Sequence, residues 1–99
     1  MNLFDLSGFQ RDLLYVIAGF ENPSGQDVKE ELERYLDEEI NHGRLYPNLD
    51  TLVERGYVEK GQIDRRTNSY RITDSGRQQL QDRREWEDGY LQAEALASS

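Results

Sequence analysis

The sequence contains no cysteine, a single histidine and no long apolar run. Without cysteine there can be no disulfide framework, no thiolate metal site and no cysteine nucleophile. The one histidine, His42, has no second histidine or cysteine with which to bind zinc. The longest wholly apolar run covers residues 13–18, which is too short to cross a bilayer, and no secretion signal opens the chain. We therefore expect a cytoplasmic protein without metal, cofactor or membrane, stabilised by packing alone.

Positive charge is also scarce. The chain contains 12 Lys and Arg and 20 Asp and Glu residues, which gives a net charge of −8 at pH 7. Such an excess of acid suits a protein that stays soluble in concentrated salt, and an ordinary acidic cytosolic protein is the alternative. At 99 residues the chain is long enough for one modest core.

The charge is unevenly distributed along the chain. Residues 1–39 carry −7 and residues 78–99 carry −3, whereas residues 40–77 carry +2. Lys and Arg are what neutralise nucleic-acid phosphates. The middle third is therefore the part suited to contact with DNA.

Apolar spacing predicts two helices in the first 41 residues. Ser7 and Gln10 have the spacing of a capping box, which starts a first helix over about residues 8–19. Ser24 is a good cap for a second helix that runs to about Asn41. That helix carries apolar residues at a regular spacing of four: Val28, Leu32, Leu36 and Ile40. Its many acidic residues are most simply a solvated face.

A third helix begins near Gly43 and leads directly into a strand. Its inward stripe is Leu45, Leu49, Leu52 and Val53. Pro47 sits early, where a missing N–H is tolerated, and Gly56 closes the helix in a left-handed conformation. Strands over residues 57–60 and 70–73 flank a turn at residues 64–68. A fourth helix, capped by Thr73 or Asp74, continues to a frayed tail at residues 95–99.

The predicted fold class is mainly α with a small β-hairpin, a winged helix-turn-helix of order ααα-ββ-α. We expect residues 1–73 to form a DNA-binding domain and residues 74–99 to form a dimerisation helix with its tail. The serines have no histidine at a recognisable spacing and there is no phosphate-binding loop. The chain is therefore predicted not to be an enzyme.

The third helix is the predicted reader of the major groove. Its candidate DNA contacts are Arg44, Tyr46, Asn48, Thr51 and Arg55. Arg44 suits guanine or phosphate, Asn48 suits adenine, and Thr51 suits a base edge or a thymine methyl. The alternative is that Arg44 and Asn48 only complete the helix start and Thr51 is ordinary surface. Tyr46 is expected to pack, with its hydroxyl near a phosphate.

The hairpin supplies a second set of candidate DNA contacts, Lys60, Arg65, Arg66 and Arg71. Arg65 and Arg66 lie at the expected tip, where long cations can enter a minor groove or clamp a phosphate. The alternative is a tip that merely aids solubility. Lys60, Arg71 and Arg77 are weaker candidates for backbone contacts.

The fourth helix carries an apolar stripe of Trp86, Tyr90, Ala93 and Ala97, at spacings of four, three and four. The stripe covers either the chain's own first helix or a second copy of the chain. We predict a homodimer, because two reading helices supply specificity that one short helix lacks. Gly89 weakens this helix by roughly 1 kcal/mol.

Two segments resemble the PadR family of winged-helix transcriptional regulators. Residues 43–58, GRLYPNLDTLVERGYV, are similar to the family's glycine, aliphatic, Tyr-Pro, two-leucine and glycine pattern. Residues 70–76, YRITDSG, are similar to the join after the wing. With the first helix, the resemblance covers about residues 8–80.

The resemblance implies a homodimeric repressor acting on a near-palindromic operator in double-stranded DNA. It places Tyr46, Asn48 and Thr51 on the reading helix, Arg65 and Arg66 on the wing, and the fourth helix at the dimer interface. The family's aromatic after the glycine is missing at residues 23–27, so packing there should differ. The resemblance is to short members of the family, so no large ligand-sensing domain is expected, and if an effector is bound, we expect it at the dimer seam around Tyr15 and Trp86. The competing function is an acidic protein-interaction module that does not bind DNA.

Overall fold

The computed structural model describes the backbone of residues 5–98 and the side chains of residues 5–91. The elements are α1 (Gly8–Ala18), α2 (Gly25–Glu33), α3 (His42–Glu54), β1 (Val58–Gln62), β2 (Asn68–Ile72) and α4 (Asp74–Ser98). The strands form an antiparallel hairpin in which Val58 lies opposite Ile72 and Gln62 opposite Asn68. The winged-helix fold expected from the sequence is confirmed.

The first two helices begin with capping boxes. In α1 the Ser7 hydroxyl accepts the Gln10 N–H at 3.1 Å and the Gln10 side chain accepts the Ser7 N–H at 3.0 Å. Ser24 and Asp27 make the same exchange in α2, at 3.0 Å in each direction. Each box satisfies two backbone donors that a helix start would otherwise leave unpaired.

The core lies where the apolar stripes of α1, α2 and α3 meet beneath the hairpin. Its fully buried side chains are Leu13, Leu14, Ile17, Val28, Ile40, Leu45, Leu49, Leu52, Val58 and Tyr70. Leu80, in the second turn of α4, is also buried, so the start of α4 packs with the core. Burial of the leucine stripe of α3 leaves the opposite side of that helix exposed.

The second helix ends at Glu33, so the expected continuation to Asn41 is wrong. Ile40 still reaches the core, but by a turn in which the Glu33 carboxylate accepts the Ile40 N–H at 2.6 Å. A helix through residues 37–39 would place three acids at its C-terminal end, where the helix dipole disfavours negative charge.

The strands are offset from the expected ranges, because the hairpin extends further toward its tip. Thr73 is outside β2 and caps α4: its hydroxyl donates to the Gly56 carbonyl at 2.7 Å and accepts the Gly76 N–H at 3.0 Å. Gly56 has a φ of 77°, which confirms the expected left-handed residue after α3.

The Glu33 carboxylate should make stability depend on pH. The Ile40 N–H, followed by the Lys29 side chain, holds the pKa of Glu33 below its ordinary 4.5. A lowered folded pKa stabilises the native state above the ordinary value, and this stabilisation is lost as pH falls through the folded pKa. Between about pH 6 and about pH 3, urea unfolding should show a steeper loss of stability for the unchanged chain than for Glu33→Gln.

The control is Glu30→Gln, since Glu30 is exposed on the same helix and bonds the Gln26 side chain. This control should keep the steep pH dependence of the unchanged chain. Equal pH slopes for Glu33→Gln and the unchanged chain would contradict the assigned role of Glu33.

Candidate nucleic-acid interface

The third helix is held at both ends by its flanking turns. The Asn41 side chain accepts the Arg44 N–H at 2.8 Å, and Gly56 follows the last turn with positive φ. Pro47 is the sixth residue of the helix, later than the sequence suggested, so the Gly43 carbonyl lacks its usual N–H donor. The bounds of the helix are nevertheless close to those expected.

The outermost stripe of α3 consists of Gly43, Pro47, Asp50 and Glu54, all of which are exposed. At about 100° per residue these positions lie opposite the buried leucines. The five predicted reading residues lie on the two flanks of this stripe. The helical period places Asp50 and Glu54 outward, although neither is among the predicted DNA contacts, and carboxylates repel phosphate.

One flank of α3 faces α1 and carries Asn48 and Thr51, both half-buried. The Asn48 amide donates to the Arg44 carbonyl at 2.7 Å, and its oxygen accepts from the Gln10 amide at 2.9 Å. The Thr51 hydroxyl donates to the Pro47 carbonyl at 3.0 Å. Asn48 therefore links α3 to α1 through Gln10, whereas Thr51 bonds within α3 itself.

Arg44 is the most exposed cation on the same flank. Its guanidinium lies 4.0 Å from the Phe9 ring centroid and 3.2 Å from the Glu38 carboxylate. An ion pair between exposed side chains is worth little, so Arg44 can exchange Glu38 for another anion. Arg55, at the helix C-cap, is half-buried and already engaged with a neighbour.

Tyr46 lies on the other flank, against the start of α2. A Cβ on Gly25 would lie 2.8 Å from Tyr46 Cε1 and 2.9 Å from the Tyr46 hydroxyl oxygen. The tyrosine ring therefore fits only because residue 25 is glycine. His42 packs edge-on against the same ring, with 5.5 Å between the ring centroids.

A cleft of about 310 Å³ opens between Tyr46, the start of α2 and the wing tip. Its lining residues are Ser24, Gly25, Gln26, Tyr46, Arg66, Thr67 and Asn68. The hairpin is fixed beside α2 because the Tyr70 N–H donates to the Pro23 carbonyl at 2.8 Å. Backbone N–H groups at a helix start attract anions, and a nearby arginine strengthens that preference.

The wing tip is a short turn that displays two exposed arginines, Arg65 and Arg66. The Asp64 carboxylate accepts the Arg66 N–H at 2.9 Å. That bond, followed by the Thr67 hydroxyl, lowers the pKa of Asp64 below its ordinary 3.8. The Asp64 carboxylate is therefore hydrogen-bonded to the backbone of the turn in which it lies.

The other two wing candidates lie on opposite faces of the hairpin, because directly paired residues share a face. Lys60 is paired with the buried Tyr70 and lies 3.6 Å from the Asp50 carboxylate, on the side of α3. Arg71 is paired with Glu59 on the other face and forms an ion pair with it. The structure therefore groups Lys60 with α3 and separates Arg71 from it.

Arg71 and Arg77 instead line a shared cavity of about 530 Å³ with residues 18–22.

Tyr70 lies on the face of the hairpin that is turned toward α3. Its burial, followed by the nearby Asp50 and Tyr46, raises the pKa of the phenol to about 12. Tyr70 is therefore a neutral packing residue between the hairpin and α3.

An apolar patch is exposed on α4. Trp86 is 43% exposed and Tyr90 65%, and their rings meet edge-on with 5.1 Å between centroids. Leu91 joins them around a cavity of about 340 Å³. Burial, followed by Glu87, raises the pKa of the Tyr15 phenol, which is consistent with a position near α4. The predicted interface residues Ala93 and Ala97 have side chains outside the described residues.

Within the described residues, no cluster of three His, Asp or Glu side chains is arranged to hold a metal ion. In the same part of the chain, no helix has the length and apolar character needed to span a membrane.

The model of the PadR-like transcriptional regulator family matches residues 13–82. The chain belongs to this family. Solved structures of H. salinarum RosR are also similar. The hsRosR-S1 complex has 42% identity, a TM-score of 0.82, and coverage of 99% of this chain and 94% of that chain. A second structure, RosR grown from NaBr, has 42% identity, a TM-score of 0.81, and coverage of 98% of this chain and 94% of that chain.

Streptococcus pneumoniae FabT in complex with DNA has a TM-score of 0.72 at 21% identity, covering 90% of this chain and 59% of that chain. At that identity the likeness shows the fold alone. No protein of curated function matches the sequence. PadR-like proteins are transcriptional regulators and not enzymes, which confirms the non-enzymatic prediction. The RosR relatives come from a halophilic archaeon, in agreement with the acidic composition of this PadR-like chain.

Proposed function

We propose that this PadR-like regulator binds double-stranded DNA in the cytoplasm as a homodimer and represses transcription from a near-palindromic operator. The observation that carries the proposal is the grouping of α3, Lys60, the exposed wing arginines and the cleft at the start of α2 on one side of the molecule. Lys60 reaches Asp50 of α3, and Arg66 shares the cleft with Tyr46. Exposed cations beside a helix N-terminus favour a phosphate backbone.

In this arrangement α3 enters a major groove and the wing tip reaches the neighbouring minor groove. The start of α2, Tyr46 and Arg66 hold a phosphate at the edge of the major groove. Arg44, Asn48, Thr51 and Arg55 contact DNA from the flank of α3 that faces α1. Arg71, on the far face of the hairpin, is the weakest member of the wing set. Asp50 and Glu54 face the bases, where a carboxylate accepts from the cytosine amino group.

Residues 74–99 form the dimerisation segment of this proposal, and residues 1–73 form the reading domain. The exposed Trp86 and Tyr90 rings, with Leu91, are the kind of apolar patch that marks a protein interface. Pairing of α4 with a second copy would cover this patch. It would also set two α3 helices about 34–36 Å apart, one turn of DNA.

Trp86→Ala combined with Tyr90→Ala is expected to raise the dimer dissociation constant by about a hundredfold or more, because both rings lose buried apolar area. Size-exclusion chromatography with light scattering over a range of protein concentrations measures this constant. Tyr35→Ala is the control, since Tyr35 is 76% exposed but lies in the turn after α2. An unchanged mass for the double variant at every concentration would rule out this interface.

Fluorescence anisotropy tests DNA binding with a labelled duplex from upstream of the chain's own gene and a shuffled duplex of equal length. The expected result is saturable binding of two chains per upstream duplex, with weaker binding to the shuffled one. A reporter driven by the same upstream DNA should be expressed more strongly when the regulator is absent. Loss of expression in its absence would contradict repression.

The net charge of −8 and the outward carboxylates of α3 favour the rival function, an acidic protein-interaction module. That function requires a stoichiometric protein partner whose binding is unchanged when Arg65 and Arg66 are neutralised. It also requires equal, negligible binding to both duplexes.

A further inference from the structure

An isoleucine is exposed at the wing tip. Ile63 is 57% exposed and directly follows the last paired residue of β1. Its N–H donates to the Thr67 carbonyl at 2.8 Å, which closes the turn that carries Arg65 and Arg66. Among the exposed large apolar side chains of the described residues, Ile63 alone lies on the hairpin.

We propose that Ile63 packs into the DNA minor groove beside the wing arginines and supplies a part of the affinity that salt does not weaken. The inference rests on the proposed DNA binding. Apolar side chains on minor-groove proteins pack against the groove and wedge between base steps. The adjacent arginines attract the tip to that groove, since cations favour its negative potential.

The turn fixes the backbone that carries this side chain before DNA is bound. The Ile63 N–H and the Arg66 N–H are both held within the turn, the first by the Thr67 carbonyl and the second by the Asp64 carboxylate. A β-branched side chain has few rotamers to lose when it is buried. Ile63 is therefore displayed at little entropic cost to binding.

Apolar and ionic contacts respond differently to salt. Arginine contacts with phosphates release counterions, so their contribution to affinity falls as salt rises. Burial of apolar area carries no such term, and some salts strengthen it. This chain has few cations to contact phosphates, and their contribution falls as salt rises. An apolar contact at the wing would therefore preserve DNA binding at high salt.

The test measures the affinity of the full chain for the labelled upstream duplex over a series of KCl concentrations. Ile63→Ser is expected to weaken binding by about tenfold at every concentration, whereas Ile63→Val should stay within about twofold. Tyr35→Ser, which changes an exposed aromatic away from the wing, should have no effect. Thermal unfolding should be the same for Ile63→Ser as for the unchanged chain, because the side chain is exposed.

A minor-groove ligand such as netropsin, bound to the duplex beforehand, should abolish the difference between Ile63→Ser and the unchanged chain. The inference is overturned if Ile63→Ser binds like the unchanged chain, if its deficit disappears at high salt, or if the deficit survives netropsin. Failure of the unchanged chain to bind the duplex would instead overturn the proposed function, and this inference with it.

Discussion

Gly76→Ala is expected to lower the free energy of unfolding by about 3 kcal/mol, because the site has no room for a methyl group. A Cβ at this position would lie 2.3 Å from the Tyr57 carbonyl oxygen and 2.9 Å from Ile72 Cγ1. The Tyr57 carbonyl cannot move away cheaply, since it accepts the Thr73 N–H at 3.0 Å. The first turn of α4 would have to separate from the base of the hairpin, where Tyr57 and Ile72 lie.

Gly89→Ala is the matched control in the same helix. Nothing lies within 4 Å of a Cβ built at Gly89. Alanine there should raise stability by about 1 kcal/mol, which is its advantage over glycine in a helix. Urea unfolding followed by far-UV circular dichroism measures both changes, and effects of the same sign would contradict the packing described for α4.

Gly76 also links the two halves of the proposed mechanism. It holds the start of α4 against the base of the wing, where Thr73 joins Gly56 to the helix cap. In the proposed dimer, the spacing of the two α3 helices would depend on this junction. A variant that loosens it should therefore lose DNA affinity even under conditions in which it remains folded.

Arg65→Gln combined with Arg66→Gln is expected to weaken DNA binding by about a hundredfold at low salt, through the loss of two phosphate or minor-groove contacts in each chain. The slope of log affinity against log salt should become shallower by about 0.9 for each lost phosphate contact. The two affinities should therefore converge as salt rises. Anisotropy titrations of the labelled upstream duplex at several KCl concentrations provide both values.

Arg34→Gln, at the exposed C-cap of α2, is the control for the loss of one positive charge, and it is compared with Arg65→Gln alone and with Arg66→Gln alone. This control separates a local contact from the overall charge. If all three single variants weaken binding equally and with the same change of slope, the wing has no specific role.

The sequence predicts the elements that local signals define. The capping box of Ser7 and Gln10 defines the start of α1, and a leucine stripe and a left-handed glycine define α3 closely, because each signal acts within a few residues. The end of α2 escaped prediction, since Leu36 and Ile40 keep helical spacing. The Glu33 carboxylate captures the Ile40 N–H in a turn that apolar spacing does not reveal.

The candidate site depends on contacts between segments that are distant in the sequence. Local sequence patterns do not predict such contacts. Tyr46 and Arg66 share a cleft because β2 bonds to Pro23 before α2. Asn48 is tied to Gln10 of α1, a contact that hydrophobic periodicity alone does not predict. The outward position of Asp50 follows from the helical period alone, because it lies opposite the buried leucines of α3.

Hydroxyl-radical footprinting of the upstream duplex tests most directly whether paired α3 helices and wings form a DNA-reading surface. The result expected is two protected patches on one face of the duplex, centred about one helical turn apart, each flanked by minor-groove protection. The flanking protection should fade in the double variant of Arg65 and Arg66. A duplex without a protected site at any salt concentration would contradict the account.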